Sequence, residues 1–394
     1  MLCIKHGKII TMAGQVYEKG FMLVEDGKIV KIGPLEDDCL YQLPVDARML
    51  DATGLTVMPG LIEAHCHMGI IEEKKGREGD DCNENVEPVT PWLRGIDAIN
   101  TMDAAFSDAL SAGITGAMIG PGSANVVGGQ FAFIKTHGRC VDDLIVLAPA
   151  AMKIAFGENP KTNYGDQSRL PVTRMAIAGL LREELFKARQ YLNKSVGEDE
   201  ADFRYECWRP VFEKKIPLKA HAHRVDDIYT AIRIAKEFDL LMTIEHCSEG
   251  HLIAEELKEA GYPAICGPDL SNRSKIELQN LAFKTVGVLN KAGVKTAIMT
   301  DHPVSLIQSL PICASLAVKA GLDYMEALKA ITINAAEICG VSDRVGSLEV
   351  GKDGDFAVFA GDPLETRSRV LVTGIEGRIV FMDKDGECRY TGSG

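Results

Sequence analysis

No stretch of 18 or more apolar residues occurs in the 394-residue chain, and its start, MLCIKHGKII, lacks the layout of a signal peptide. A membrane-spanning or exported protein is therefore not expected, and a cytoplasmic one is. Basic charge is short: Lys and Arg number 43 against 56 Asp and Glu, a net charge of −13. That balance argues against a general nucleic-acid surface and against anionic membranes as partners. The 11 cysteines are odd in number and include no CxxC pair, which favours reduced thiols over a disulfide framework. No GxGxxG follows the first apolar run, so a doubly wound open sheet is the weaker choice of fold. The glycine-rich segment near residue 120 lacks the GKS/T ending of a phosphate-binding loop.

What is present is an ordinary globular composition, 46% hydrophobic and 25% charged. Short strands are read at 2–10, 21–25 and 28–33, with a turn at Glu25-Asp26-Gly27, and again at 355–360, 369–373 and 376–383. Neither end alone supplies a comfortable core. One small β-sandwich built from both termini, 1–56 plus 345–394, is expected around a large insertion at 57–344. In that insertion apolar strands (144–149, 218–222, 241–245, 264–266, 295–300) alternate with helices (102–112, 172–190, 225–237, 252–260, 325–331). Such alternation over this length predicts a (β/α)8 TIM barrel, usually about 250 residues long. The polar stretch 70–92 reads as an active-site lid stiffened by Pro88 and Pro91 and anchored by Trp92.

The apolar run 55–58 leads into Pro59-Gly60-Leu61-Ile62-Glu63-Ala64-His65-Cys66-His67. Histidines at i and i+2 on a strand share a face, and imidazole is a common ligand of zinc and related metals. Cys66 faces the other side and reads as packing. Matching strand ends recur in order: Lys153 in Met152-Lys153-Ile154-Ala155-Phe156, then Ala220-His221-Ala222-His223, then Glu245-His246, then Thr300-Asp301-His302. In a parallel barrel all of them reach one mouth. Histidines and carboxylates there would hold a divalent metal with a position open for water, whose pKa falls from about 15.7 toward 7. Asp301 would take the water's proton and pass it to the leaving nitrogen. A free lysine ammonium is no ligand until it loses its proton near pH 10, but a carbamate made with CO2 would be an anionic oxygen donor.

This order of motifs, inside a barrel flanked by split sandwich halves, resembles the amidohydrolase superfamily over nearly the whole chain. The chain is most similar to the imidazolonepropionase-related members, which include prolidase-like dipeptidases. The resemblance implies a metal-dependent hydrolase of C–N amide bonds, acting on a dipeptide, an N-acyl amino acid or a cyclic amide. It implies His65, His67, His221, His246 and Asp301 as ligands of one or two divalent metals, zinc being expected. Lys153 would be a carboxylated bridge, and Asp301 also the proton shuttle. The family's apolar-Ala-His-Ala pattern favours His221 over His223 as ligand, leaving His223 to face the substrate. One departure counts: the related deaminases carry a glutamate three residues after the strand-5 histidine, where this chain has Arg224. That weighs against the alternative of hydrolytic deamination of a nitrogen heterocycle. A metal-free binding or assembly relative would have lost a ligand, and none is missing.

Further contacts with a small-molecule substrate are expected from the glycine-rich segment 120–130, through Asn125 and Gln130. Arg273 and Lys275, after strand seven, could hold a substrate carboxylate, the arginine in bidentate fashion. His302 would stand at the mouth. A homo-oligomer is compatible with all of this.

Overall fold

The computed structural model describes residues 1–36, 44, 47–73, 76–194, 201–384 and 389–391. Its centre is an eight-stranded sheet whose strands follow one another in chain order. They are β1 (Leu61–Cys66), β2 (Ile114–Ile119), β3 (Val127–Lys135), β4 (Ile145–Ala155), β5 (Leu218–Ala222), β6 (Met242–His246), β7 (Ala264–Cys266) and β8 (Thr296–Ile298). The expected barrel is present, with one difference from the regular alternation. β3 runs antiparallel to both β2 and β4, while the other neighbouring pairs are parallel. Only residues 120–126 separate β2 from β3, too few for the crossover of a dozen or more residues that a parallel return needs.

Outer helices cover the sheet. Val225–Phe238 buries Ile228, Ala231, Ile232, Ala235 and Phe238, the i, i+3, i+4, i+7 spacing of an amphipathic helix. Arg174–Leu192 buries Ile177, Leu181, Leu185 and Ala188 in the same way. Cys66, as expected, packs in this apolar layer with no exposure. The nine described cysteines are all unpaired. Among the described residues no helix is long and apolar enough to cross a membrane.

Both termini build two further sheets. In one, Arg389–Thr391, Arg48–Asp51, Leu2–Lys5, Gly20–Glu25 and Lys28–Pro34 lie side by side. In the other, Arg378–Met382, Arg369–Ile375 and Phe356–Ala360 from the C-terminal part meet Thr56–Pro59, Lys8–Ile10 and Val16–Tyr17 from the N-terminal part. Ile4, Met22, Val57, Phe356, Val358 and Val372 share the core between them. The run 55–58 thus belongs to the terminal sheet, pairing with Phe356–Phe359, and a separate strand carries the first two histidines. The chain crosses between them at Gly60, where a Cβ would lie 2.0 Å from Thr115 Oγ1. Only glycine lets the strand pass there.

A buried ionic cluster ties the sandwich to the barrel. Lys135, at the end of β3, reaches Asp353 at 2.9 Å and Asp355 at 2.5 Å, and Lys28 and Arg344 also hold Asp353.

Between β8 and β1 side chains close the barrel. Glu63 on β1 accepts from Thr300 N at 3.0 Å, Thr300 Oγ1 at 2.7 Å and His65 N at 3.2 Å. His67 N donates to His302 O at 2.8 Å. One carboxylate therefore links the backbone of His65 to that of Thr300, the residue before Asp301. Burial pushes Glu63 up to about 8.

Candidate metal centre

The C-terminal ends of β1, β4, β5, β6 and β8 bring His65, His67, Lys153, His221, His246 and Asp301 together, each less than one-tenth exposed. His246, Cys247 and Asp301 have φ of 69°, 51° and 53°. Left-handed backbone in non-glycine residues is costly and gathers at functional sites; here it turns the chain sharply as β6 and β8 deliver their side chains.

Second partners fix the imidazoles. His65 Nδ1 donates to Glu245 Oε2 at 2.6 Å, His67 Nδ1 to Gly120 O at 2.7 Å, and His246 Nδ1 to Gly267 O at 2.9 Å. Each acceptor requires a proton on Nδ1, so in the neutral ring Nε2 is left as the lone-pair donor. His65 Nε2 lies 3.7 Å from Asp301 Oδ1, and His67 Nε2 lies 3.3 Å from it. Both ring nitrogens of His221 are buried without a hydrogen-bond partner. His223 is engaged: Nδ1 is 2.8 Å from Ser248 Oγ, and Nε2 is 3.8 Å from Glu277 Oε1.

Donor atoms of His65, His246 and Asp301 lie within 4.8 Å of one another, as do those of His221, His223 and His246. Two overlapping groups sharing His246 could hold one divalent ion or two. Charge agrees with this. Burial, then neighbouring lysines or histidines, pulls His65, His221 and His246 well below the ordinary histidine value, so they stay neutral and can ligate. For His67 burial also pulls down, but Cys82 and Asp301 outweigh it and raise the group to about 10. The His67–Asp301 pair thus attracts a cation, which fits a metal ion as well as a proton.

Below these ligand-type residues the barrel interior is ionic where apolar layers are the rule. Lys153 is 1% exposed, and its Nζ donates to His65 Nε2 at 3.2 Å. Among the described residues no carboxylate oxygen lies within salt-bridge distance of it, and burial lowers it to about 8. Beside it in register, Lys219 of β5 pairs with Glu245 Oε2 at 3.0 Å and reaches Ala64 O at 3.2 Å. Thr243 Oγ1 donates to the other Glu245 oxygen. Both lysine ammonium groups lie 5.5 Å from the ring centroid of Phe131. Glu63, Lys219 and Glu245 are absent from the sequence expectations. Their one signal is a charged residue inside an otherwise apolar strand.

A cavity of about 490 Å³ opens on the cluster and is lined by His67, His221, His223, His246 and Asp301, within the usual size range of small-molecule sites. The stretch 70–92 forms part of its wall through Ile71, Cys82 and Asn83; residues 74 and 75 lie outside those described. The loop is pinned, since Tyr164 donates its hydroxyl to Glu87 O and the amides of Val126 and Val127 donate to Pro88 O.

Four expected substrate contacts sit elsewhere. Asn125 is 1% exposed and donates to Glu87 O at 2.8 Å, so it anchors the lid. Gln130 donates to Pro91 O at 3.2 Å and lines a separate cavity beside Trp92. Arg273 donates to Leu281 O at 2.8 Å and lines a neighbouring cavity. His302 is fully buried, its Nδ1 accepting from Ile307 N at 3.1 Å. In each case a backbone group supplied by the fold captures the side chain. His223 and Lys275 do line the main cavity. Arg224 pairs with Asp226 at 3.0 Å away from the site, whereas the buried carboxylate beside His223 is Glu277, from the loop after β7.

A profile of the amidohydrolase family matches residues 56–391. The crystal structure of an amidohydrolase from Thermotoga maritima MSB8 superposes with a TM-score of 0.92 at 39% identity, covering 97% of this chain and 100% of that one. Among curated sequences, amidohydrolase tasK of Hapsidospora irregularis is 28% identical over 94% of the chain, which spans only 41% of that protein's length. The imidazolonepropionase of Sphingopyxis alaskensis is 25% identical over 97% of this chain and 96% of its own. A 5-methylthioadenosine/S-adenosylhomocysteine deaminase of Symbiobacterium thermophilum is 46% identical over 97% of this chain and 94% of its own.

Proposed function

The chain belongs to the amidohydrolase family, and from that premise we propose that it hydrolyses a C–N amide bond in a dipeptide, an N-acyl amino acid or a cyclic amide. His65, His67, His221, His246 and Asp301 would hold one or two divalent metals, zinc first among them. The observation that carries the reading is the unpartnered, buried pair of nitrogens on His221, next to imidazoles whose Nδ1 protons are already committed. A buried polar atom without a partner is expensive, and a metal ion satisfies it. His221 is preferred to His223 because His223 already has Ser248 and Glu277 beside it.

When bound, a divalent metal supplies a Lewis acid that makes water a nucleophile at neutral pH. The chain's own residues do the rest. Asp301, at the mouth, takes a proton from the attacking water and returns it to the leaving nitrogen. The Nδ1 hydrogen bonds of His65, His67 and His246 hold the rings in one tautomer through the reaction. Lys153, buried and without a carboxylate partner among the described residues, would as a carbamate offer an anionic oxygen donor to a divalent metal held there.

The 46% identity to a protein named as a deaminase favours a second reading, hydrolytic release of ammonia from a nitrogen heterocycle. Assay of zinc-loaded protein against N-acyl amino acids, dipeptides, cyclic amides and aminated heterocycles separates the two. Amine or amino-acid release without ammonia supports amide hydrolysis, and ammonia from the heterocycles alone overturns it.

A further inference from the structure

Among the described residues, Lys275 is the single lysine or arginine that lines the cavity over the candidate metal centre. Its ammonium is held rather than free: it donates to Asn159 Oδ1, and Asn159 Nδ2 in turn donates to Ser123 Oγ at 2.7 Å. Asn159 and Ser123 line the same cavity, so the chain of hydrogen bonds keeps the charge at its wall. Behind it stands Glu277, 1% exposed, with Oε2 committed to Glu158 N at 3.0 Å. Glu277 Oε1 has no hydrogen-bond partner and lies 3.8 Å from both Lys275 Nζ and His223 Nε2. Glu277 thus attracts Lys275 toward the cavity floor without a direct hydrogen bond to its ammonium.

The surrounding charge makes this lysine informative. The protein carries −13 overall, which by itself repels anions. Among the described residues, the cavity's other charged side chain apart from histidines is Asp301, a candidate ligand whose charge a metal would offset. Arg273, two residues away, is turned to Leu281 O. The remaining walls combine amide and hydroxyl groups at Asn83, Ser271 and Asn272 with the apolar Leu278 and Leu281.

We propose that Lys275, set on Asn159 and backed by Glu277, anchors a carboxylate of the substrate. The substrate class is then N-acyl amino acids or peptides with a free carboxyl end, in preference to neutral amides and uncharged heterocycles. An ammonium fixed before binding gives a charge-assisted contact without the loss of freedom that a loose lysine would incur. The leucines beside it suit an apolar side chain on the residue that carries the carboxylate. This rests on the hydrolase reading above but concerns recognition alone.

The test uses metal-free protein first, so that no metal can serve as the anchor. Calorimetric titration with N-acetyl-L-leucine and with N-acetyl-L-leucinamide should show the acid bound at least ~10-fold more tightly, the size of one charge-assisted contact. Lys275→Met should bring that ratio to about one, and Lys275→Arg should keep it, with circular dichroism confirming the fold of each. The same acid preference should appear in KM for the zinc-loaded protein. Equal binding of the two compounds, binding of neither, or a ratio unchanged in Lys275→Met overturns the anchor. Preferential binding of the acid without hydrolysis of any amide would instead leave the anchor standing and defeat the hydrolase reading.

Discussion

His65 donates its Nδ1 proton to Glu245 Oε2 across 2.6 Å, with neither side chain exposed. Glu245 comes from β6, one residue before His246, and Lys219 of β5 holds the same oxygen at 3.0 Å. The pair commits His65 to a single tautomer with Nε2 toward Asp301. Glu245→Gln keeps the shape but loses the charge that answers Lys219. Metal affinity, measured by competition with a chromophoric chelator, should weaken by about 10- to 100-fold, the usual effect of losing a partner that orients a ligand.

Asp301→Asn keeps the side-chain shape and removes the proton acceptor. Turnover of any amide substrate found should fall by at least ~10²-fold, the lower end for general acid–base catalysis. Steady-state kinetics with variant and wild type at equal metal content checks this, and near-normal turnover would remove Asp301 from the proton path.

Lys135→Met should destabilise the fold by about 3–5 kcal/mol, the cost of leaving a buried carboxylate unpaired. Asp353 and Asp355 are buried against Lys135, and Lys28 and Arg344 reach only Asp353. Asp355 therefore loses its counterion among the described residues. Urea denaturation followed by circular dichroism measures the effect.

Asp269, in the loop after β7, is raised by burial to about 7 from an ordinary 3.8. The folded protein then binds more protons than the unfolded chain between those values, so stability falls as pH rises across that window. Melting temperature should decline from about pH 4 to about pH 7 for this group's share, and Asp269→Asn should flatten the decline. An identical slope in the variant would assign the dependence to other groups.

The sequence made the strand-end residues legible because the pattern there is local: an apolar run, then histidine, lysine or aspartate. His65, His67, Lys153, His221, His246 and Asp301 follow from that pattern and do converge. The terminal strands were legible for the same reason, although the run at 55–58 and the following strand merged until Gly60 separated them. Glu63, Lys219 and Glu245 escaped notice because apolar strand periodicity gives no reason for charges in a barrel interior. β3 itself escaped, because its start lies in the glycine-rich segment 120–130, which reads as substrate contacts; the apolar run 131–134 was the readable sign of the strand, and the short 120–126 connection that of its reversed direction. Asn125 and Arg273 sit on loops and Gln130 on β3, and in each case the backbone carbonyl that captures the side chain comes from another segment, which local pattern does not reveal. Lys275 faces the cavity and Arg273 does not, a distinction no periodicity encodes.

Metal analysis of purified protein by inductively coupled plasma mass spectrometry, after expression in zinc-supplemented medium, addresses the cluster most directly. Between one and two equivalents of divalent metal per chain are expected, falling well below one in a folded His221→Ala variant. Wild-type protein that is folded, zinc-supplemented and still well below one equivalent would contradict the metal centre.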